Sequence, residues 1–266
     1  MGVLNVTPDS FSDGGAYLGV EDAVARGLAM VAEGAAVVDV GGESTRPGAV
    51  PVPTEVEVGR VEPVVAGLVD RLAGAARVSV DTRSPEVARA AVAAGATLIN
   101  DVSARLWPVA AELGVGWVAV HGGDDPRTMQ DDPRYDDVVA EVGAFLAAAA
   151  RTASDAGVAE VWVDPGFGFA KTPEHNLEVL AHLDRLVALG WPVLVGTSRK
   201  STLGRLLARA DRTPDEPPPP DDRLEASVAT AVWAFDQGVA MVRAHDVLAT
   251  VQAARVVAGS VPPLPD

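Results

Sequence analysis

The 266-residue sequence contains no cysteine, which excludes disulfide bonds, thiolate nucleophiles and cysteine-based metal sites. It also has no stretch approaching the ~20 uninterrupted apolar residues that cross a bilayer. The N-terminus lacks the basic region that opens a secretory signal. From these absences we expect a cytoplasmic protein that is neither exported nor inserted in a membrane.

Basic residues are scarce, with 21 Lys and Arg against 37 Asp and Glu and a formal net charge of −16. This charge repels nucleic acid at long range, and no dense basic run offsets it, so we expect no nucleic-acid partner. An anionic substrate must be met by locally placed basic groups. The hydrophobic fraction of 48% is typical of a globular chain with a large buried core.

Short β-branched runs alternate with Ala-rich segments of helical periodicity, which is the pattern of repeated βα units and a parallel sheet. Each run is apolar enough to be a strand buried on both faces. Eight such runs predict an α/β fold, a (β/α)8 TIM barrel formed by residues 1–266 as a single domain. The predicted strands are Met1 to Asn5, Val37 to Val40, Val78 to Asp81, Thr97 to Asn100, Trp117 to His121, Val161 to Asp164, Val193 to Thr197 and Met241 to Ala244.

Segments between the strands place apolar residues three and four apart, as amphipathic helices do. The clearest are Glu21 to Ala32, Pro85 to Ala94, Tyr135 to Ala156 and Leu224 to Asp236. The proline-rich segment 211–222 is predicted to be a loop inside the last βα units. Because Met1 already lies in the first strand, either the floor of the barrel is bare or the true start lies upstream.

Every predicted strand ends in polar residues, and the ends of parallel barrel strands meet at one mouth. A single Asp or Asn there equally well caps the following helix, but eight in register are harder to explain by capping. Two kinds of group occur. Arg199, Arg243 and His245 suit phosphate oxygens. The groups that suit the edge of a flat, nitrogen-rich heterocycle are Asp81, Asn100, Asp164 and Lys200.

Four motifs follow these strands in order: NVTPDSFSDGG from Asn5, GGESTRPG from Gly41, DPGFGFAKT from Asp164 and GTSRKS from Gly196. Along essentially its whole length the sequence resembles the dihydropteroate synthase family. The resemblance implies a transferase of folate biosynthesis that condenses 6-hydroxymethyl-7,8-dihydropterin pyrophosphate with p-aminobenzoate. A pterin-dependent methyltransferase barrel, which would not need the second and fourth motifs, and a non-catalytic pterin-binding paralogue are the alternatives.

The resemblance also implies roles for individual residues. Asn5 would help to hold Mg²⁺ on the pyrophosphate, which Arg243 and His245 would bind as well. The pterin would lie among Asp81, Asn100, Asp164 and Lys200. Around p-aminobenzoate the family places Phe11, Asp13, Thr45, Arg46, Pro47, Phe169 and Ser201. The expected catalytic residues are Asp164, Lys200, Arg243 and His245.

Two positions depart from the family pattern. The loop after Ser103 is shortened, and Val120 stands where the family commonly has a methionine on the pterin face. The family is usually a homodimer. On the predicted helix from Leu224, Trp233 and Phe235 cannot share one face, so we expect one aromatic to be buried and the other to cover a partner subunit.

Overall fold

The computed structural model describes residues 1–7, 16–44, 51–122 and 128–259. Within these ranges eight strands alternate with helices. The strands are β1 (Gly2–Asn5), β2 (Val37–Gly41), β3 (Arg77–Asp81), β4 (Leu98–Asp101), β5 (Gly116–Val120), β6 (Glu160–Asp164), β7 (Leu194–Val195) and β8 (Met241–Val242). The helices are α1 (Ala16–Ala32), α2 (Thr54–Leu72), α3 (Pro85–Ala93), α4 (Trp107–Leu113), α5 (Val138–Asp155), α6 (Pro173–Ala181), α7 (Leu183–Val187), α8 (Ser201–Ala210), α9 (Leu224–Asp236) and α10 (Val247–Val257).

The strands close into a barrel. Strands β1 to β6 form one parallel sheet in sequence order, and β7 pairs with β8. Two bridges join these parts: Gly2 pairs with Ala244, and Val163 pairs with Val193. All eight strands therefore belong to one closed parallel array, and the predicted (β/α)8 barrel is confirmed.

The strand register places the predicted site residues in one row. Asn5 is opposite Gly41, Gly41 is opposite Asp81, and Asp81 is opposite Asn100. Because side chains alternate between the two faces of a strand, residues in one row share the inner face of the barrel. The register thus brings these ends of β1 to β4 to the same mouth.

Apolar side chains also pack inside the barrel. Leu98, Val118, Val120 and Leu194 form a buried inner cluster, and Phe169 packs against it. A larger cluster lies between the strands and the helices. The inner cluster keeps water away from the underside of the mouth.

The opposite end of the barrel, its floor, is not bare. Arg77 at the start of β3 donates from Nη1 to Oε1 of Glu160 at the start of β6, at 3.0 Å. A second contact, between Nη2 and Oε2, measures 2.9 Å. Trp162 donates from Nε1 to the same Oε1 at 2.7 Å. This fork-to-fork pair closes the floor across the barrel.

The proline-rich segment contains one 3₁₀ turn, Pro220–Asp222. Arg223 donates from Nε to the carbonyl oxygen of Pro218 at 2.8 Å and from Nη1 to that of Arg199 at 2.8 Å. The segment is thereby fastened to the turn that follows β7. Within the described residues, no helix is both long and apolar enough to span a membrane.

The turn after β6 lies against the end of β5 and needs glycine at one position. Gly166 has a φ of +67°, and a Cβ there would lie 2.0 Å from the carbonyl oxygen of His121. Gly114 has the same φ, but a Cβ there would meet no atom within 4 Å. The two glycines separate backbone strain from steric overlap.

We expect Gly114→Ala to lower the free energy of unfolding by about 1 kcal/mol, from backbone strain alone. Gly166→Ala should cost about 2 kcal/mol more, because backbone atoms must move to relieve the overlap. Urea unfolding of the two variants measures the difference. An equal loss of stability in both variants would contradict the close approach of Gly166 to the carbonyl oxygen of His121.

Candidate active site

The polar strand ends converge on a cleft of about 410 Å³ at the mouth of the barrel. Strands β1 and β3 contribute to it, as do the segments that follow β1, β2, β6, β7 and β8. The predicted site residues that line the cleft are Asn5, Asp81, Phe169, Lys200, Ser201, Arg243 and His245. Asn100 and Asp164 are buried beside them, so the structure brings together all the predicted site residues that it describes.

Arg243, directly after β8, is held by two carboxylates. Its Nε donates to Oδ2 of Asp39 at 2.6 Å, and its Nη2 donates to Oδ2 of Asp81 at 2.7 Å. The same Oδ2 of Asp39 accepts from Nδ2 of Asn100 at 2.9 Å. Burial raises the pKa of Asp81 to about 7, and the charge of Arg243 opposes the shift. Asp81 therefore changes charge near neutral pH.

Lys200 lies between the turn after β6 and α8. Its Nζ lies 4.1 Å from the centroid of the Phe169 ring and donates to the carbonyl oxygen of Phe167. Burial lowers the pKa of Lys200 to about 8, against the attraction of Asp164. Burial also raises the pKa of Asp164, whose Oδ1 accepts from the N–H of Gly166 at 2.7 Å. The side chains of Lys200 and Asp164 are therefore charged groups that are poorly hydrated.

The turn after β7 orients the imidazole of His245. The hydroxyl of Ser198 accepts from the backbone N–H of His245 at 3.1 Å and lies 3.0 Å from its Nδ1. Arg199 makes a bidentate ion pair with Asp246, from Nε to Oδ2 at 2.9 Å and from Nη2 to Oδ1 at 2.5 Å. The pair fixes the guanidinium of Arg199, which also lines the cleft.

Lys171 is a buried lysine with no role predicted from the sequence. Its Nζ lies 2.9 Å from Nδ1 of His121 and donates to the carbonyl oxygen of Phe169 at 3.1 Å. Burial lowers the pKa of Lys171 to about 7 and that of His121 to about 3. His121 is therefore neutral and can accept from the ammonium group. The contact ties the turn after β6 to the end of β5.

Lys171 and Asp39 were not among the predicted site residues, but the sequence contains a signal for each of them. Lys171 and Lys200 are the only lysines among the 21 basic residues, so the other 19 are arginine. Lysine changes its pKa readily on burial whereas arginine stays charged, which makes retained lysines informative. Asp39 stands two positions before Gly41 on β2 and so shares its inward face.

Asn5 is the predicted magnesium ligand. It lies half-buried at the end of β1 and lines the cleft. In the described part of the chain, no three His, Cys, Asp or Glu side chains are grouped so that they could hold a metal. Mg²⁺ commonly keeps several waters and is held by one or two protein groups plus substrate phosphates. One amide oxygen in the cleft that Arg243 also lines fits a magnesium ion that arrives with a pyrophosphate.

Five predicted p-aminobenzoate-site residues lie outside the described residues: Phe11, Asp13, Thr45, Arg46 and Pro47. Their placement stays a prediction. The described chain reaches Thr7 on one side and Ser44 on the other, and both residues line the cleft.

The shortened turn after β4 is closed by a buried carboxylate. Asp101 accepts from the backbone N–H groups of Arg105 at 2.7 Å and Leu106 at 2.6 Å, and from Nε1 of Trp117 at 3.1 Å. Val120, the other departure from the family pattern, is buried in the inner cluster. Neither departure opens the wall of the cleft.

Comparison with known proteins identifies the family. A model of the pterin binding enzyme family matches residues 1–245. The dihydropteroate synthase of Mycobacterium leprae strain TN is 50% identical over 269 residues, which cover 97% of this chain and 91% of that protein. The chain belongs to the dihydropteroate synthase family.

Solved dihydropteroate synthases share the fold. A structure of the Xanthomonas albilineans enzyme with 4-aminobenzoic acid matches with a TM-score of 0.87 and 48% identity, covering 98% of this chain and 93% of that one. A structure of the same organism's enzyme with 7,8-dihydropteroate matches with a TM-score of 0.84 and 45% identity, covering 98% and 94%. The barrel described above is thus that of dihydropteroate synthases.

The lowered pKa of the buried Lys171 can be tested through the pH dependence of stability. A lysine whose pKa is lowered on folding contributes stability that is present above its unfolded pKa and lost as pH falls through its folded pKa. With a folded pKa of about 7, the loss extends from about pH 10.5 down to about pH 7. We expect the free energy of unfolding of wild type, relative to Lys171→Met, to rise by about 2 kcal/mol from pH 7 to pH 9.

Urea unfolding of both proteins at three pH values measures this difference, and titrating groups that do not interact with Lys171 cancel in the comparison. A difference independent of pH would mean that Lys171 has an ordinary pKa in the folded protein.

Proposed function

We propose that this chain condenses 6-hydroxymethyl-7,8-dihydropterin pyrophosphate with p-aminobenzoate to give 7,8-dihydropteroate and pyrophosphate. The observation that carries the proposal is the convergence on one cleft of two chemically distinct sets of groups. One set suits a nitrogen-rich ring, and the other suits an anion. The solved relatives with 4-aminobenzoic acid and 7,8-dihydropteroate support the same reaction here.

The pterin ring binds beside the buried polar groups. Carboxylates of Asp81 and Asp164 accept from amino and ring N–H groups, and the ammonium of Lys200 donates to a ring carbonyl or nitrogen. The amide of Asn100 adds one further contact. Because these groups are buried, each hydrogen bond to the ring is stronger than it would be in water.

The pyrophosphate binds at Arg243 and His245. Two of the five N–H donors of Arg243 meet Asp39 and Asp81, and the other three have no hydrogen-bond partner among the described residues. Asn5 lies at the same rim and would hold Mg²⁺ together with the phosphate oxygens. When bound, the metal ion neutralises charge on the leaving group.

p-Aminobenzoate binds toward the rim, where Phe169 and Ser201 line the cleft. Ser201 begins α8, so a carboxylate there faces a helix N-terminus with its unpaired N–H groups. Phe169 offers an apolar face to the benzene ring. Phe11, Asp13, Thr45, Arg46 and Pro47 complete the pocket in this proposal.

The reaction proceeds by separation of charge. The bond between the pterin methylene carbon and the pyrophosphate oxygen breaks, and its electron pair leaves with pyrophosphate. Arg243 and His245 stabilise this anion, and Asp164 stabilises positive charge on the electron-rich ring. The amine of p-aminobenzoate donates its lone pair to the methylene carbon and then loses a proton, which the departing pyrophosphate accepts. Exclusion of water from the cleft protects the cationic carbon from hydrolysis.

Release of pyrophosphate, assayed with and without p-aminobenzoate, tests the proposed function. We expect release that depends on p-aminobenzoate and forms 7,8-dihydropteroate in equal amount. Release without p-aminobenzoate would instead indicate a hydrolase. A protein that binds pterin pyrophosphate without turnover would match the non-catalytic alternative.

Lys200→Ala and Asp164→Asn should each abolish measurable turnover while the protein still folds, because both residues lie at the mouth of the barrel. The wild-type kcat/KM for the pterin substrate should fall above about pH 8, where Lys200 loses its proton. Lys200→Arg stays charged, so it should be slower but lack this alkaline limb. An unchanged alkaline limb in Lys200→Arg would assign the limb to another group.

The homodimer and the cytoplasmic location are part of the same proposal. On α9, Phe235 packs against the core, whereas Trp233 is 43% exposed and its Nε1 donates to the carbonyl oxygen of Leu180 at 2.8 Å. One aromatic therefore turns inward and one outward, which supports a partner surface at Trp233. Sedimentation should give a dimer at micromolar concentration, and Trp233→Glu should give a monomer. A wild-type monomer would contradict the homodimer.

The absence of cysteine supports a reducing cytoplasm.

A further inference from the structure

Asp39 occupies the middle of β2, and its side chain is fully buried below the cleft. One carboxylate oxygen, Oδ2, serves two residues of the site: Nε of Arg243 at 2.6 Å and Nδ2 of Asn100 at 2.9 Å. These residues belong to opposite ends of the cleft wall, since Arg243 follows β8 and Asn100 lies on β4. A single side chain that does not line the cleft therefore connects the two proposed subsites.

We propose that Asp39 is a positioning residue that fixes the amide of Asn100 and the guanidinium plane of Arg243 for the pterin substrate. The inference rests on the proposed function, because it names a further residue for that same site. Asp39 acts through its two neighbours and does not touch the substrate itself.

The amide of Asn100 has two possible orientations, which exchange its oxygen and nitrogen. An ionised carboxylate only accepts hydrogen bonds, so Asp39 admits the orientation that points Nδ2 toward it. Oδ1 of Asn100 is then left buried with no hydrogen-bond partner among the described residues. A buried acceptor without a partner is costly, so the site favours a ligand that supplies a donor there. Asp39 thereby makes Asn100 an acceptor for an N–H group of the ring.

Arg243 is fixed by the same carboxylate from a second direction. Asp39 holds Nε and Asp81 holds Nη2, so the guanidinium plane cannot rotate without breaking a charge-assisted hydrogen bond. The three remaining N–H donors then keep one direction before pyrophosphate arrives. Such preorganisation lowers the cost of binding, because the side chain is already ordered.

Asp39 also acts on the charge of Asp81. The groups that face Asp81 are Arg243 after β8, Asp39 on β2, Glu57 on α2 and Lys200 after β7. Arg243 and Lys200 lower the pKa of Asp81, whereas Asp39 and Glu57 raise it. Replacement of Asp39 by a neutral residue should therefore let Asp81 ionise at lower pH.

Asp39→Asn tests the inference, because it removes the charge with almost no change of shape. We expect the KM for the pterin substrate to rise about tenfold or more, which corresponds to one weakened charge-assisted hydrogen bond. The KM for p-aminobenzoate should change less than about twofold, since neither neighbour of Asp39 belongs to that subsite. The acidic limb of kcat/KM for the pterin substrate, near the pKa of Asp81, should move to lower pH.

Two control variants separate positioning from a merely structural role. Ser79 lies opposite Asp39 on β3, and its buried hydroxyl has no hydrogen-bond partner among the described residues. Ser79→Ala should therefore leave both KM values and the acidic limb unchanged. Asp101→Asn removes another fully buried carboxylate, one that caps the turn after β4. It should lower the free energy of unfolding without moving the acidic limb or the ratio of the two KM values.

The outcomes are distinct. The proposed function would be contradicted if the wild-type protein showed no pyrophosphate release that depends on p-aminobenzoate. An active wild type with an Asp39→Asn variant that keeps the pterin KM and the acidic limb would overturn the role of Asp39. A variant that loses stability and raises both KM values alike, with no shift of the limb, would also overturn it. If Asp39→Asn fails to fold, Asp39→Ser, which leaves room for water, is held to the same expectations.

Discussion

The pairing of Arg243 with two buried carboxylates is the constraint on which the mouth of the barrel depends. Removal of each charge from water costs several kcal/mol, and short, well-aligned hydrogen bonds are needed to offset that cost. The bonds from Arg243 to Asp39 and Asp81, at 2.6 and 2.7 Å, meet this need. With two carboxylates for one guanidinium, the cluster is ready to accept further positive charge. Burial is the main cause that raises the pKa of Asp81 to about 7, and the charge of Asp39 raises it further, so a nearby ammonium or N–H donor is favoured.

The basic groups of the cleft divide their work according to their chemistry. Arginine stays charged and presents a fork, so in the proposed function Arg243 suits the pyrophosphate, whose charge must be met at every working pH. Lysine is a compact charge whose pKa falls on burial, and Lys171 and Lys200 have pKa values of about 7 and about 8. A protein with a net charge of −16 that otherwise uses arginine keeps lysine at these two buried positions. Local placement thereby overcomes the unfavourable overall charge.

The strand ends could be predicted from the sequence because strand order and polar termini are local features, and barrel closure then brings them to one mouth. Boundaries were less accurate where a side chain makes a distant contact. Helix α5 begins at Val138 after the cap Asp137, whereas Tyr135, predicted to be helical, donates to the carbonyl oxygen of Ala170 instead. Lys171 lacked an assigned role because its partner His121 is 50 residues away. Asp39 escaped assignment because its partners Arg243 and Asn100 are 204 and 61 residues away.

The apolar interior of the barrel is a cause of the chemistry at its mouth. Val120 and Leu98 fill the space below the cleft, and Phe169 lies between that cluster and the ammonium of Lys200. These side chains exclude water from the underside of Asp164 and Lys200, and desolvation is the first cause of both pKa shifts. A looser interior would admit water, return both groups toward their ordinary pKa values and weaken each electrostatic contact with a bound ring. The stability of the barrel and the reactivity of its mouth therefore rest on the same packing.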